Sequence, residues 1–326
     1  MKTVHIGIIG CGYLGNYHLQ NLLGMEGVSI TALVSTNEER LQQTAQKVPG
    51  AQLFHNYQEL FASSVPLDAV IVSIPPATHG EIEQLAAQKG IHLYVEKPLD
   101  VSLERARKNA AFIAQSGIIC SVGYQGRYSP IVQELREKLR GEQTGLVCAK
   151  WIGDMPSVHW WRDKSLSGGQ LVEQATHLVD VLRYLFGEVD TVYSRALSNL
   201  NNGVEGKTVE DCSSTILTFC SGVIATVMTG CYCSAEVPED ISIQIYTKKE
   251  LIDLAWANAI SYRTQRETVS KNHLPTNHRL AMQQFVTAVQ TGDRSLIQSD
   301  YADALKTFEV TLAANRSMQE GQPIQL

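Results

Sequence analysis

The sequence predicts a two-part α/β chain: an N-terminal doubly wound parallel sheet, then an α+β domain with a large, mostly antiparallel open sheet. Three observations predict it. Up to Val122, short apolar runs alternate with helix-like stretches, a rhythm that demands parallel pairing through right-handed crossovers. A glycine-rich turn, GCGYLG at 10–15, separates the first apolar run from the first helix. Beyond Gly123 the strand-like segments crowd together on connections too short for crossovers, so they must pair antiparallel.

In chain order, the predicted strands of the first part are 5–9, 30–34, 69–73, 92–95 and 118–122. The predicted helices between them are 15–23, 38–47, 57–61, 80–89 and 103–115. The second part opens with a helix over 130–139, a strand over 146–151 and a single helix over 171–185 that stops at Gly187. Strands at 191–197, 213–219, 223–229, 241–246 and 250–255 follow. Ser221-Gly222 reads as one hairpin turn and 247–249 as another. Helices near 279–291 and 300–319 close the chain. The expected domains are 1–122, for a dinucleotide, and 123–326, for substrate and oligomerisation, with the last helices packing back on the first domain.

With 326 residues the chain has material for two cores. A net charge of −6 disfavours nucleic acid or an acidic membrane as a general partner. No run reaches the roughly 20 apolar residues that a spanning helix requires. Residues 1–12 read as a first strand rather than a signal peptide, so a cytoplasmic location is expected. The seven cysteines are odd in number and form no CxxC. Cys231 and Cys233 make a CxC within a strand-like run, but no His or second Cys pair lies at zinc spacing, so no metal is expected. Small reduced side chains filling a core explain them.

The chemistry concentrates in three places. In the turn, Gly10 would make the tight bend, Gly12 would admit a pyrophosphate and Gly15 would let helix and strand touch, with Tyr13 and Leu14 completing the loop. A helix N-terminus there presents N–H groups and partial positive charge to phosphates. An NAD site commonly places an acid about 20 residues further on; here Ser35-Thr36 stand instead, with Arg40 beyond. That set favours the 2′-phosphate of NADP over NAD, although Thr36 and Glu39 also fit a capping box.

The second place is Glu96-Lys97-Pro98, directly after the strand 92–95. Ligands of such sheets sit at the carboxyl ends of the strands, so Lys97 would reach a reacting oxygen and stabilise negative charge on it. The third is the stretch opening with Gly168-Gly169. Glu173 and His177 are four apart on its expected helix and Asp180 is three further. An imidazole there takes a hydroxyl proton near neutral pH, and Asp180 would tune it or orient hydroxyls.

Together these motifs resemble the Gfo/Idh/MocA oxidoreductases, over the whole chain. The likeness extends to Ser73-Ile-Pro75-Pro-Ala-Thr-His79, similar to the family's loop after the fourth strand, and to 123–128, similar to its domain-crossing segment. It implies a Rossmann domain and a hydride moved between NADP or NAD and a secondary alcohol or ketone of a sugar or cyclitol. It places Lys97, Glu173 and His177 at the family's catalytic lysine, acid and histidine. The acid is more often Asp, so Glu173 departs from the pattern. The resemblance assigns Ser73, Pro75, His79, Glu96 and Lys97 to the cofactor. Substrate contacts are expected from Lys97, Arg127, Trp161, Arg162, Glu173 and His177, with the tryptophans at 160 and 161 open to sugar stacking or to a core role. The family typically pairs through its second sheet, which implies a homodimer or homotetramer. Two alternatives share these motifs: a dinucleotide-binding sensor without turnover, and redox-assisted glycoside cleavage.

Overall fold

The computed structural model describes residues 2–326 and resolves them into two compact units. The first comprises residues 2–125 with Thr276–Leu305; the second comprises Gly126–Pro275 with Lys306–Leu326.

The first unit runs β1 Val4–Ile9, α1 Tyr13–Leu22, β2 Val28–Val34, α2 Glu38–Ala45, β3 Gln52–Phe54, α3 Tyr57–Ala62, β4 Ala69–Val72, α4 Ile82–Lys89, β5 His92–Val95, α5 Leu103–Ser116 and β6 Cys120–Val122. Its six strands are all parallel, in the order β3-β2-β1-β4-β5-β6. The sequence shows why. Parallel strands are covered on both faces and read as unbroken apolar runs, and all four residues of β4, AVIV, are buried. The order reverses between β1 and β4, the point where such sheets open a crevice at their carboxyl edge. The strand β3 is not legible in the sequence, because three part-exposed residues carry no period. The helix predicted to start at 15 starts at Tyr13, with Gly12 as its N-cap. The Thr36–Glu39 capping box does not form; Asn37 is the N-cap, and its side chain accepts from the Arg40 N–H.

The second unit contains α6 Pro130–Leu139, β7 Thr144–Ile152, α7 His159–Arg162, α8 Lys164–Ser167, α9 Gln170–Glu173, α10 Thr176–Phe186, β8 Val189–Leu197, β9 Cys212–Phe219, β10 Ile224–Gly230, β11 Asp240–Thr247, β12 Leu251–Ala255, β13 Ala259–Arg263 and β14 Thr268–Asn272. The chain closes with α11 Asn277–Thr291, which belongs to the first unit, then α12 Tyr301–Glu320 and β15 Ile324–Gln325. Nine strands form one sheet, β14-β13-β12-β11-β7-β10-β9-β8-β15, antiparallel except for the pair β7–β10. Both predicted hairpins are present, as β9–β10 and β11–β12. The strands β13, β14 and β15 were not expected; every residue of β14 is exposed, so no apolar alternation marks it. One face of the sheet supplies Val147, Ala149, Val227, Leu217, Ile243 and Ile245 to a core shared with Leu135, Leu178 and Leu182 of the helices.

The single helix expected over 171–185 is two. After α9 the ladder breaks: Ala175 N–H donates to Gln170 O at 3.0 Å and His177 N–H to Gln174 O at 3.3 Å, neither of them an i→i−4 bond. Glu173 therefore ends one helix and His177 lies in the first turn of the next.

Candidate active site

In the first unit the site is a carboxyl edge. The GCGYLG loop follows β1, Ser73 follows β4, and Lys97 lies just beyond β5, all at the same end of a parallel sheet. Two of the loop glycines are enforced by contact. Gly10 has φ +107°, and a Cβ there would lie 2.3 Å from the Ser73 carbonyl oxygen; a Cβ on Gly15 would lie 1.7 Å from the Gly10 carbonyl oxygen. Gly12 differs, since an added Cβ would meet nothing within 4 Å. Asn16 pins the loop, its Nδ2 donating to the carbonyls of Cys11 at 3.0 Å and Gly12 at 3.1 Å. The first turn of α1 has no acidic residue and no side-chain cap. The buried Oγ of Ser73 has no hydrogen-bond partner among the described residues. An open glycine, uncapped helix N–H groups and an unspent hydroxyl fit a dinucleotide pyrophosphate. Tyr13 is exposed, and Leu14 and Pro75 are half-buried beside the loop.

At the end of β2, Thr36 and Arg40 are exposed, while the Ser35 hydroxyl is taken up by the turn, accepting from Asn37 N–H at 3.1 Å. Glu96 and His79, both expected at the cofactor, are instead interior. Glu96 Oε1 is 2.7 Å from His18 Nε2, and its Oε2 accepts the Lys97 backbone N–H at 3.2 Å. Burial opposes ionisation of Glu96, but the hydrogen bond and charge of His18, aided by Lys97, outweigh it and hold the carboxyl below its usual range. His79, 1% exposed, bonds Glu83 at 2.7 Å. Burial opposes its charge too, yet the charge and hydrogen bond of Glu83 raise its pKa. These side chains brace the loop and the Lys97 backbone from behind. The Lys97 side chain itself is half-buried, and its peptide bond to Pro98 is cis.

In the second unit the site is built round His177. Its ring stacks on Trp151, with centroids 5.9 Å apart and planes 18° apart, and meets Trp256 edge-on at 5.4 Å. Trp161 is corrected as a stacking surface: at 2% exposure its ring packs against Val209 and Cys231. What it offers the site is its Nε1–H, which donates to Glu173 Oε2 at 2.7 Å. Asp180 has strong partners other than His177. It takes a two-pronged bond from Arg127, at 2.7 and 2.6 Å, and accepts from Thr307 Oγ1 at 2.9 Å. Arg127, 4% exposed and paired to Asp180, is thereby a structural anchor rather than a substrate contact. Arg162, at the end of α7, is half-buried, with Nε 3.4 Å from the Pro156 carbonyl. Sequence reasoning missed His18, Trp151 and Trp256. His18 was recognisable only as a histidine on the buried stripe of α1, and the two tryptophans carry no local signal.

A dinucleotide loop and a lysine on one sheet edge, with a histidine and a carboxylate in a second unit, define an NAD(P)-dependent oxidoreductase. The chain belongs to the Gfo/Idh/MocA family: residues 4–124 match its NAD-binding Rossmann-fold domain, and residues 149–326 its C-terminal alpha/beta domain. It is 27% identical to scyllo-inositol 2-dehydrogenase (NAD(+)) of Bacillus subtilis, over 99% of this chain and 96% of that one. It is 22% identical to D-xylose 1-dehydrogenase (NADP(+)) 2 of Haloferax volcanii, over 98% and 99% of the two chains. The fold is shared with the WlbA dehydrogenase of Bordetella pertussis, solved with NADH and UDP-GlcNAcA, at a TM-score of 0.84 and 20% identity over 100% and 99% of the chains.

Proposed function

We propose that the protein moves a hydride between NAD(P) and a secondary alcohol or ketone carbon of a sugar, cyclitol or related polyol. The observation that carries this is the loop in which Gly10 and Gly15 are closed by contact while Gly12 is open, on the same sheet edge as Lys97. Full-length relatives that act on inositol and xylose supply the substrate class. A nicotinamide cofactor, held at the glycine loop, would supply the hydride chemistry. His177 accepts the substrate hydroxyl proton on a ring nitrogen during oxidation and returns it during reduction. Lys97 donates a hydrogen bond from Nζ to the same oxygen and stabilises its negative charge. Glu173, steadied by Trp161, and Arg162 bind neighbouring hydroxyls.

NADP is the proposed preference, because Thr36 and Arg40 stand exposed at the end of β2 where an acid would repel a 2′-phosphate. Self-association through the outer face of the nine-stranded sheet is also proposed, from the exposed Leu146, Ile224 and Tyr246, which lie side by side in register. All seven cysteines are free, in keeping with a cytoplasmic site of action. Among the described residues, no helix is long and apolar enough to cross a membrane.

The test is absorbance at 340 nm with a panel of polyols and ketoses. Lys97→Ala should reduce kcat about 100-fold or more, the cost of removing one donor to a developing oxyanion, while NADPH binding by fluorescence persists. Turnover near the wild-type rate in that variant would refute the assignment. No absorbance change with any substrate would favour a sensor.

A further inference from the structure

We infer that Trp256 and Trp151 are positioning residues that hold the imidazole of His177, with Trp256 presented by a turn kept in an unfavourable backbone conformation for that purpose. The inference rests on the reading of His177 as the proton acceptor.

The first observation is the turn. The strands β12 and β13 are joined by Trp256-Ala257-Asn258, in which Trp256 has φ +30° and Ala257 φ +58°. Hairpins that need such angles ordinarily use Asn and Gly, because a Cβ crowds the backbone there. A tryptophan, with a bulky side chain, is a true outlier in this region. The turn is nonetheless bolted down. Ser129 Oγ donates to the Ala257 carbonyl at 2.5 Å, Trp256 N–H donates to Ile241 O at 3.1 Å, and the Asn258 carbonyl accepts from His273 N–H at 2.7 Å. Strain retained by surrounding bonds points from the outlier to a function.

The second observation is what the turn delivers. The Trp256 ring meets both the His177 ring, at 5.4 Å and 62°, and the Trp151 ring, at 5.4 Å and 60°. Trp151, on β7, lies nearly parallel to the imidazole. The imidazole is bounded by one indole on its face and another at an angle.

The third concerns orientation. Helical spacing points to Asp180 as a group that would orient His177; Asp180 also takes bonds from Arg127 and Thr307, whereas the two indoles bear on the imidazole ring directly. Rotation of a histidine ring about its last torsion is broad and roughly two-fold. The stacked Trp151 and the tilted Trp256 restrict that rotation, and the Trp151 π face favours the imidazolium that proton transfer creates. A lone pair held in one direction is what a general base requires.

The experiment uses the full chain with NADPH or NADH and the best substrate from the panel. Trp256→Leu keeps apolar bulk but removes the ring; Trp256→Phe restores a ring. Trp256→Leu should lower kcat about tenfold or more with KM changed less than about threefold, and Trp256→Phe should stay within about threefold of wild type in both. In a His177→Asn background, Trp256→Leu should cause no further loss, because the effect passes through the imidazole. Wild-type kcat in Trp256→Leu, a loss confined to KM, or a loss repeated in full in the His177→Asn background would each overturn the inference. If Trp256→Leu does not fold, as judged by circular dichroism, Trp151→Leu is held to the same criteria. A fully active His177→Asn single variant would sink the parent reading; an impaired one beside an unimpaired Trp256→Leu would sink only this inference.

Discussion

At the residue scale, a methyl group separates the roles of two glycines, Gly12 and Gly123. Gly12→Ala adds a Cβ into open space at φ −77°, so the fold should stand and the melting temperature should hold. Its NADPH Kd should nevertheless rise roughly tenfold or more, the value of about one charge-assisted backbone contact. Thermal melts beside a fluorescence titration test both halves. Gly123→Ala is the opposite case, since its Cβ would lie 2.6 Å from the buried Glu96 carboxylate. Overpacking of that kind costs about 1–3 kcal/mol, readable by urea unfolding. Glu96 also sets a pH dependence. Its pKa is depressed on folding, so its contribution is complete above the ordinary value of 4.5 and is lost as pH falls through the lower, folded value. The melting temperature should drop on acidification through that window, and Glu96→Gln should flatten that part of the curve; an unchanged acid limb would remove Glu96 from the account.

At the element scale, the break between α9 and α10 separates what a continuous helix would have kept on one face. Glu173 closes α9 and turns to the Trp161 indole, whereas His177, in the first turn of α10, lies against Trp151. Further along α10, Asp180 ties that helix to Arg127 and to Thr307 of α12 by buried bonds. Removing one partner of a buried ion pair leaves the other charge unpaired, which costs about 3–5 kcal/mol. Asp180→Ala should therefore lower the urea midpoint by a corresponding amount. A shift indistinguishable from wild type would show that the pair carries little. The helix spacing that suggested Asp180 as a group tuning His177 or orienting hydroxyls said nothing of Arg127, 53 residues away.

At the scale of the whole molecule, cofactor choice and assembly are the open consequences. Arg40→Ala should weaken NADPH binding while leaving NADH binding unchanged, because only NADPH carries the 2′-phosphate that the guanidinium would meet. Equal effects on both cofactors would end the NADP preference. Replacing Ile224 by Lys places a charge amid the exposed row Leu146, Ile224 and Tyr246. Light scattering should then report a smaller species than wild type if that face buries against a second copy.

Read by itself, the sequence determined the parallel sheet, the glycine loop, both hairpins and the position of Lys97 at a strand end, because each is written in local periodicity or in a short motif whose geometry is nearly obligatory. The tertiary structure alone decided that Glu96 bonds His18, that Arg127 pairs with Asp180, that Trp161 is interior and that His177 packs against two indoles that also touch each other. Those partnerships join residues from 12 to 79 positions apart: Trp161 reaches Glu173 across 12, and His177 meets Trp256 across 79. No pattern of period 2 or 3.6 encodes which distant side chain fills a given space; packing of whole elements against one another does.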